Sequence, residues 1–87
     1  MDETMLTLKT GVELIEQDGQ VGLILSGCTQ FAKNPRQTEI LRALTERPLS
    51  PESLMALLHA RDGPQNENDN SLAIAGFILD FGDYIKA

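Results

Sequence analysis

The chain has 87 residues, which gives room for one hydrophobic core, and 41% of them are hydrophobic, which is enough to fold one. Its 13 acidic residues outnumber 7 basic ones, for a formal net charge of −6. Such a chain lacks the cationic surface that binds nucleic acid or anionic membranes, so we expect neither kind of partner.

The N-terminal residues 1–4 (MDET) have neither the basic start nor the apolar run of a signal peptide. No apolar stretch in the sequence approaches the length that crosses a bilayer. Cys28 is the only cysteine, so no internal disulfide is expected, which fits a reducing compartment. We therefore expect a cytoplasmic protein in which residues 1–87 form a single domain.

The first third of the sequence predicts an antiparallel sheet. Apolar residues at even positions between 6 and 14 alternate with polar ones, which is typical of a half-buried strand. A turn at Asp18-Gly19 leads to the apolar residues 21–25, and a turn at Ser26-Gly27 leads to a third strand at residues 28–33. Strands joined by such tight turns form a meander, which leaves the third strand at an edge of the sheet.

Two helix starts are each marked by a capping residue followed by proline. Asn34 precedes Pro35, and Ser50 precedes Pro51. Asn and Ser accept hydrogen bonds from the free N–H groups of a first turn, and proline fits the first helical position. Gln37 completes a variant of the capping box. The predicted core residues of the two helices are Ile40, Leu41 and Leu44, then Leu49, Leu54, Leu57 and Leu58.

A third helix is predicted from Asn70-Ser71 to Tyr84 or Ile85, after a polar and mobile loop at residues 61–70. Its apolar residues cover more than the arc of roughly 100° that packing on one side requires. The surplus predicts a dimer interface, a peptide groove, or a helix inserted deeply between the sheet and the other helices. The expected fold class is α+β and winged-helix-like, with a three-stranded antiparallel sheet followed by three helices.

The predicted third strand has the composition of an edge that accepts another strand. It has no charge and no proline before Lys33, whereas exposed edges are usually protected by such residues. An extended peptide can hydrogen-bond to a free edge and place alternate side chains in a neighbouring groove. The alternative is a short strand that binds nothing, but its combination with an apolar third helix favours a binding groove.

The order of elements and four stretches of sequence resemble the PqqD-like family. The stretches are residues 8–14 (LKTGVEL), 21–25 (VGLIL), 31–41 (FAKNPRQTEIL) and 49–54 (LSPESL). Family members are the recognition elements of ribosomally synthesised, modified peptides (RiPPs), small winged-helix-like chaperones that hold the leader segment of a precursor for a modifying enzyme. The sequence departs from the family where TERP replaces an Asp-Gly between the first two helices, and where GDYI replaces a C-terminal Gly followed by Leu or Ile.

The resemblance implies that a leader peptide adds as an extra strand to the third strand and packs against the third helix. The peptide-binding residues expected on this basis are Cys28, Thr29, Gln30, Phe31, Ala32 and Lys33 on the edge, and Ala75, Ile78, Leu79 and Gly82 on the helix. Phe31→Glu is then expected to abolish peptide binding. The expected enzyme partner is a radical S-adenosylmethionine (radical SAM) enzyme first, with a lasso peptidase or a cyclodehydratase behind it.

The sequence offers no convincing catalytic or metal site. Cys28 and His59 are the only residues of their kinds, whereas a zinc site needs three or four ligands. The acidic stretch around Glu67 and Asp69 lacks the spaced ligands of a calcium loop. We expect a non-catalytic peptide chaperone without cofactor or metal, monomeric or homodimeric. The alternative is a winged-helix-like homodimeric interaction or regulatory module that associates through its third helix.

Overall fold

The computed structural model describes residues 5–86, so the expectation about a signal peptide concerns residues outside the described part. Its elements are the strands β1 (Thr7–Leu8), β2 (Glu13–Gln17), β3 (Gln20–Leu25) and β4 (Cys28–Phe31), the helices α1 (Pro35–Glu46), α2 (Pro51–Asp62) and α3 (Glu67–Asp80), and the strand β5 (Ile85–Lys86). The predicted fold class is confirmed: an antiparallel sheet in the order β2-β3-β4 combines with three helices, in an arrangement compatible with a winged-helix-like fold.

Both predicted hairpins are confirmed. Asp18 and Gly19 have φ values of 53° and 80°, and Ser26 and Gly27 have φ values of 51° and 83°. A two-residue turn with positive φ at both positions matches the twist of the flanking strands, so it joins neighbours in a sheet. The predicted third strand is β4 and lies at an edge of the sheet. It ends at Phe31 rather than at residue 33.

The prediction of one strand over residues 6–14 is wrong. Gly11 has a φ of 92°, within a turn that separates β1 from β2. β1 instead pairs with β5, with Thr7 opposite Lys86. Leu6 also exchanges two backbone hydrogen bonds with Leu49, of 2.8 and 3.0 Å. The start of the described chain is therefore attached to its end and to the start of α2.

Both predicted helix starts are confirmed by their caps. The Asn34 side chain accepts a hydrogen bond from the Gln37 N–H at 2.9 Å, and Ser50 accepts one from the Ser53 N–H at 3.1 Å. The Gln37 side chain accepts from the Lys33 N–H at 2.8 Å, one residue before the position that a capping box uses. Gln37 thus connects the end of β4 to α1.

The predicted bounds of the third helix are wrong at both ends. α2 extends to Asp62, a 3₁₀ turn follows at Pro64–Asn66, and α3 already begins at Glu67, so the predicted loop at residues 61–70 is largely helical. Asn70 is fully buried, and its side-chain oxygen accepts a hydrogen bond from Arg36 Nε at 2.9 Å. A polar residue therefore occupies a core position, which a pattern of apolar residues does not reveal.

The C-terminal end of α3 lies at Asp80, four or five residues before the predicted end at Tyr84 or Ile85. The Phe81 N–H donates to the Phe77 carbonyl at 2.8 Å, and the chain then turns through residues 81–84 into β5. Ile85 is buried as a strand residue opposite Leu8, not as part of a helical face. The buried face of α3 consists of Asn70, Ile74 and Phe77, continued by Phe81, whereas Ile78 is 38% exposed.

The hydrophobic core lies between the helices and one face of the sheet. It contains Leu6, Val21, Leu23, Ile40, Leu41, Leu44, Leu49, Leu54, Leu58, Ile74, Phe77, Phe81, Tyr84 and Ile85. The Phe77 and Phe81 rings stack at 5.0 Å between centroids, and Phe81 meets Tyr84 edge to face at 6.0 Å. Among residues 5–86, no helix has the length and apolar composition needed to cross a membrane.

Candidate functional site

The outer edge of β4 is open. In the part of the chain that the structure describes, β4 pairs with β3 on one side, and no strand pairs with it on the other. The opposite edge of the sheet, β2, is also open, but it carries Glu13 and Glu16, charges that discourage another strand from adding. β4 consists of uncharged residues without proline. Of the two edges, β4 is the one suited to accept a strand.

The hydrogen-bond pattern shows which backbone groups of β4 point outward. Ala32 N–H donates to the Val21 carbonyl at 2.8 Å, which marks these two residues as a hydrogen-bonded pair of the β3–β4 ladder. Hydrogen-bonded and non-hydrogen-bonded pairs alternate along antiparallel strands. Gln30, opposite Leu23, therefore bonds inward, whereas Thr29 and Phe31 direct their N–H and C=O groups to the open edge.

The alternation of side chains places Phe31 on the face of the sheet that points away from the helices. Gln30 is opposite the fully buried Leu23, so it shares the helix-facing side. Phe31 is opposite Gly22 on the other side, and its ring lies so close that a Cβ added to Gly22 would be 2.9 Å from it. Phe31 therefore does not line a groove between β4 and α3, contrary to the expectation behind Phe31→Glu. Cys28 shares the helix-facing side with Gln30.

A polar cluster joins the end of β4 to the end of α3. Lys33 Nζ lies 3.2 Å from Asp80 Oδ1, and the Gln37 side-chain amide donates to Asp80 Oδ2 at 2.9 Å. Gln37 is only 3% exposed, and its oxygen accepts from the Lys33 backbone N–H. We call Lys33, Gln37 and Asp80 the clamp. It fixes the position of β4 relative to α3 at one end of the edge.

The clamp is expected to open in acid. The hydrogen bond from Gln37, followed by that from Lys33, holds the pKa of Asp80 below its ordinary value of 3.8. A carboxylate with a lowered pKa stabilises the fold at pH values above its ordinary pKa, and this contribution is lost as the pH falls through the lower value. We expect the Lys33 amide and Gln37 side-chain resonances to titrate in NMR spectra with a midpoint below pH 3.8. Asp80→Asn should remove this titration, and a midpoint at or above the ordinary value would contradict it.

An open pocket of about 190 Å³ lies at the other end of the edge, lined by Leu25, Ser26, Cys28, Asp83 and Tyr84. The pocket lies between the β3–β4 turn and the turn that follows α3. Burial raises the pKa of the Tyr84 phenol above its ordinary value of 10.0, so the phenol stays neutral at physiological pH. The pocket offers an apolar floor with one carboxylate, that of the exposed Asp83, at its rim.

The clamp also shows that the Asp80 side of α3 faces the end of β4 and the start of α1. Residues of a helix advance by about 100° each, so Ile78 lies roughly 200° from Asp80, and Ala75 lies about 140° from it. These two predicted site residues are therefore turned away from β4. Leu79 lies about 100° from Asp80, at the border of this side. Gly82 follows the helix in the exposed turn beside the pocket.

Two small residues that the sequence pattern did not indicate lie on the same side of α3 as Asp80. Ala73 and Gly76 lie about 20° and 40° from Asp80 around the helix axis. Both are partly exposed. Their spacing from Asp80 could have identified them, but only with the knowledge that Asp80 contacts the end of β4.

The apolar surplus of α3 is exposed. Leu72 is 70% exposed and Leu79 is 84% exposed. A helix inserted deeply between the sheet and the other helices would bury these side chains, so that interpretation of the surplus is wrong. Two interpretations remain, a peptide groove and a dimer interface.

Comparison of the chain with protein-family models, with curated proteins and with solved structures finds no match. Among the described residues, no group of three or more His, Cys, Asp or Glu side chains is placed to hold a metal ion. Cys28 is exposed on β4, and His59 is partly buried on α2 with its Nε2 atom unpaired.

Proposed function

We propose that the protein is a non-catalytic peptide chaperone that binds the leader segment of a RiPP precursor by strand addition to β4. The observation that carries this proposal is the open, uncharged edge on which Thr29 and Phe31 present their backbone N–H and C=O groups outward. An extended peptide satisfies these groups by forming a fourth strand of the sheet. The edge lies between two features that can hold the peptide's ends. These are the clamp and the pocket that Cys28 and Tyr84 help to line.

In this proposal, the residues of the bound peptide have different roles. In an antiparallel arrangement, two peptide residues form hydrogen-bonded pairs with Thr29 and Phe31. Peptide side chains opposite Cys28 and Gln30 share their side of the sheet, so they point toward the pocket and the helix-facing side. An apolar side chain opposite Cys28 fits the pocket. Backbone bonds thus supply affinity, and the helix-facing side chains supply selectivity.

The nature of the peptide and of its enzyme comes from the resemblance to the PqqD-like family. The protein holds the leader in the cytoplasm and presents the attached core peptide to a modifying enzyme, which carries out the chemistry. A radical SAM enzyme is the first candidate, followed by a lasso peptidase and a cyclodehydratase. The open β4 edge suits one extended segment, and strand addition with a few buried side chains reaches affinities from micromolar to nanomolar.

The proposal is tested by titrating the ¹⁵N-labelled protein with a leader peptide encoded beside its gene. We expect saturable shifts along β4 and slower hydrogen exchange of the Thr29 and Phe31 amides, because these N–H groups become hydrogen-bonded. The outward amides of β2, those of Leu14 and Glu16, serve as the internal control and should keep their exchange rates. A titration without saturation, or protection on β2 in place of β4, would refute the proposal.

A further inference from the structure

The outer side of α3 carries an apolar stripe that the peptide site does not use. Leu72 and Leu79 are seven residues apart, so they lie almost on one line along the helix. Each is two residues, or about 200°, from a buried residue of the same helix, Ile74 for Leu72 and Phe77 for Leu79, so the line points away from the core. With Ala75 and Gly76 between them, the two leucines form an apolar surface that is free to contact another molecule.

The stripe is symmetric about its own midpoint. Ala75 and Gly76 lie at its centre, and Leu72 and Leu79 stand three residues to either side of them. A surface that pairs with a copy of itself across a two-fold axis must be self-complementary in this way. We propose that α3 binds the α3 of a second copy in antiparallel orientation, with Leu72 packed on the partner's Leu79 and with Ala75 beside the partner's Gly76.

The small central residues allow the two helices to approach closely. A Cβ added to Gly76 would meet no atom within 4 Å in the single chain, so packing inside the protein does not require glycine there. Glycine in the interior of a helix is less favourable than alanine. Gly76 is explained by the close approach of a second helix, since the absence of a side chain brings the two backbones together at the crossing point.

Charge and area set the strength of this dimer. A helix of 14 residues is about 21 Å long, so its face is smaller than the roughly 800 Å² per partner that stable complexes bury. Each copy also carries a formal charge of −6, which repels the other. Antiparallel helix dipoles favour the pairing, and added salt screens the repulsion. The dimer is therefore weak and becomes stronger as the salt concentration rises.

The dimer leaves the β4 edge accessible. The leucine line lies about 90° around the helix from Asp80, which marks the side facing β4. Two copies joined through α3 would therefore carry two open β4 edges. The dimer does not depend on the proposed peptide-binding function, because it is measured by mass rather than by a ligand.

Sedimentation of the whole chain, from micromolar to millimolar concentration in low and in high salt, tests the pairing. The wild-type protein should dimerise reversibly and more tightly in high salt. Leu72→Lys and Leu79→Glu should each weaken self-association at least about tenfold, because each removes both Leu–Leu contacts of the dimer. Both side chains are exposed, so the thermal unfolding of the variants should remain close to that of the wild type.

A mixture of the two variants tests the register itself. The lysine introduced at position 72 of one chain would face the glutamate introduced at position 79 of the other. The unchanged Leu72 and Leu79 would still meet, so the mixture should form a heterodimer. Leu72→Glu mixed with Leu72→Lys is the matched control, and it should stay monomeric because the two new charges do not face each other. A wild-type monomer at millimolar concentration, a dimer insensitive to Leu72→Lys, or equal association in both mixtures would overturn the proposal.

Discussion

Replacing Gly22 by alanine is expected to lower the free energy of unfolding by about 2 kcal/mol, in the range of overpacked core sites. The added Cβ would lie 2.5 Å from the Gln30 carbonyl oxygen and 3.0 Å from the Phe31 Cα. Both atoms belong to the backbone of β4, so no side-chain rotation relieves the clash. β4 must move away from β3, which disturbs the edge that we propose for peptide binding.

Gly76→Ala is the matched control, because it adds the same atom where nothing lies within 4 Å. We expect it to raise the free energy of unfolding by about 1 kcal/mol, since alanine is the better helix former. Urea unfolding at low protein concentration measures both changes without a contribution from dimers. Equal effects of the two substitutions would show that β4 is not held against Gly22 as described.

Thr29→Pro is expected to weaken leader-peptide binding at least about tenfold while the protein stays folded. Thr29 directs its N–H to the open edge, so proline removes a donor that the peptide uses but that the folded chain does not. The proline ring also occupies the space of the incoming strand. Proline is tolerated on edge strands at positions of this kind, which limits the effect on stability.

Glu16→Pro places the same change on the other edge of the sheet. In the β2–β3 hairpin, Gln17 and Gln20 close the turn as a hydrogen-bonded pair, so Glu16 directs its N–H outward. Its ion pair with Arg42, at 3.6 Å, is exposed and contributes little. Calorimetric titration should give a nearly unchanged dissociation constant for this variant. A loss of affinity in Glu16→Pro but not in Thr29→Pro would place the peptide on β2.

The features that the sequence predicted well are those that local chemistry determines. Asn34 and Ser50 cap the two helices that they were expected to cap, because a side-chain acceptor and the following proline act within one turn. The two hairpins likewise follow from Asp18-Gly19 and Ser26-Gly27 alone. With the hairpins in place, the edge position of β4 follows without knowledge of the helices.

The features that the sequence did not predict depend on contacts between distant residues. β5 forms because Ile85 and Lys86 meet β1, so a helix extended to residue 85 was the natural interpretation of the apolar pattern. Asn70 is buried through a bond to Arg36, 34 positions away, and no apolar pattern reveals such a core position. The sides of β4 and α3 that face each other emerge only once the clamp is known. For this reason the sequence could not show that Phe31 lies on the side of the sheet away from the helices, or that Ile78 lies on the opposite side of α3 from Asp80.

The pairing of β1 with β5 has a consequence for how the protein can be rebuilt. Because Thr7 lies opposite Lys86, the two ends of the described chain are neighbours, and a short linker can close it into a ring. New ends can then be opened at the exposed Asp18-Gly19 tip without cutting the core. In such a circular permutant, a fluorophore or a fused enzyme would be attached beside the β2–β3 hairpin, and the strand order would stay the same.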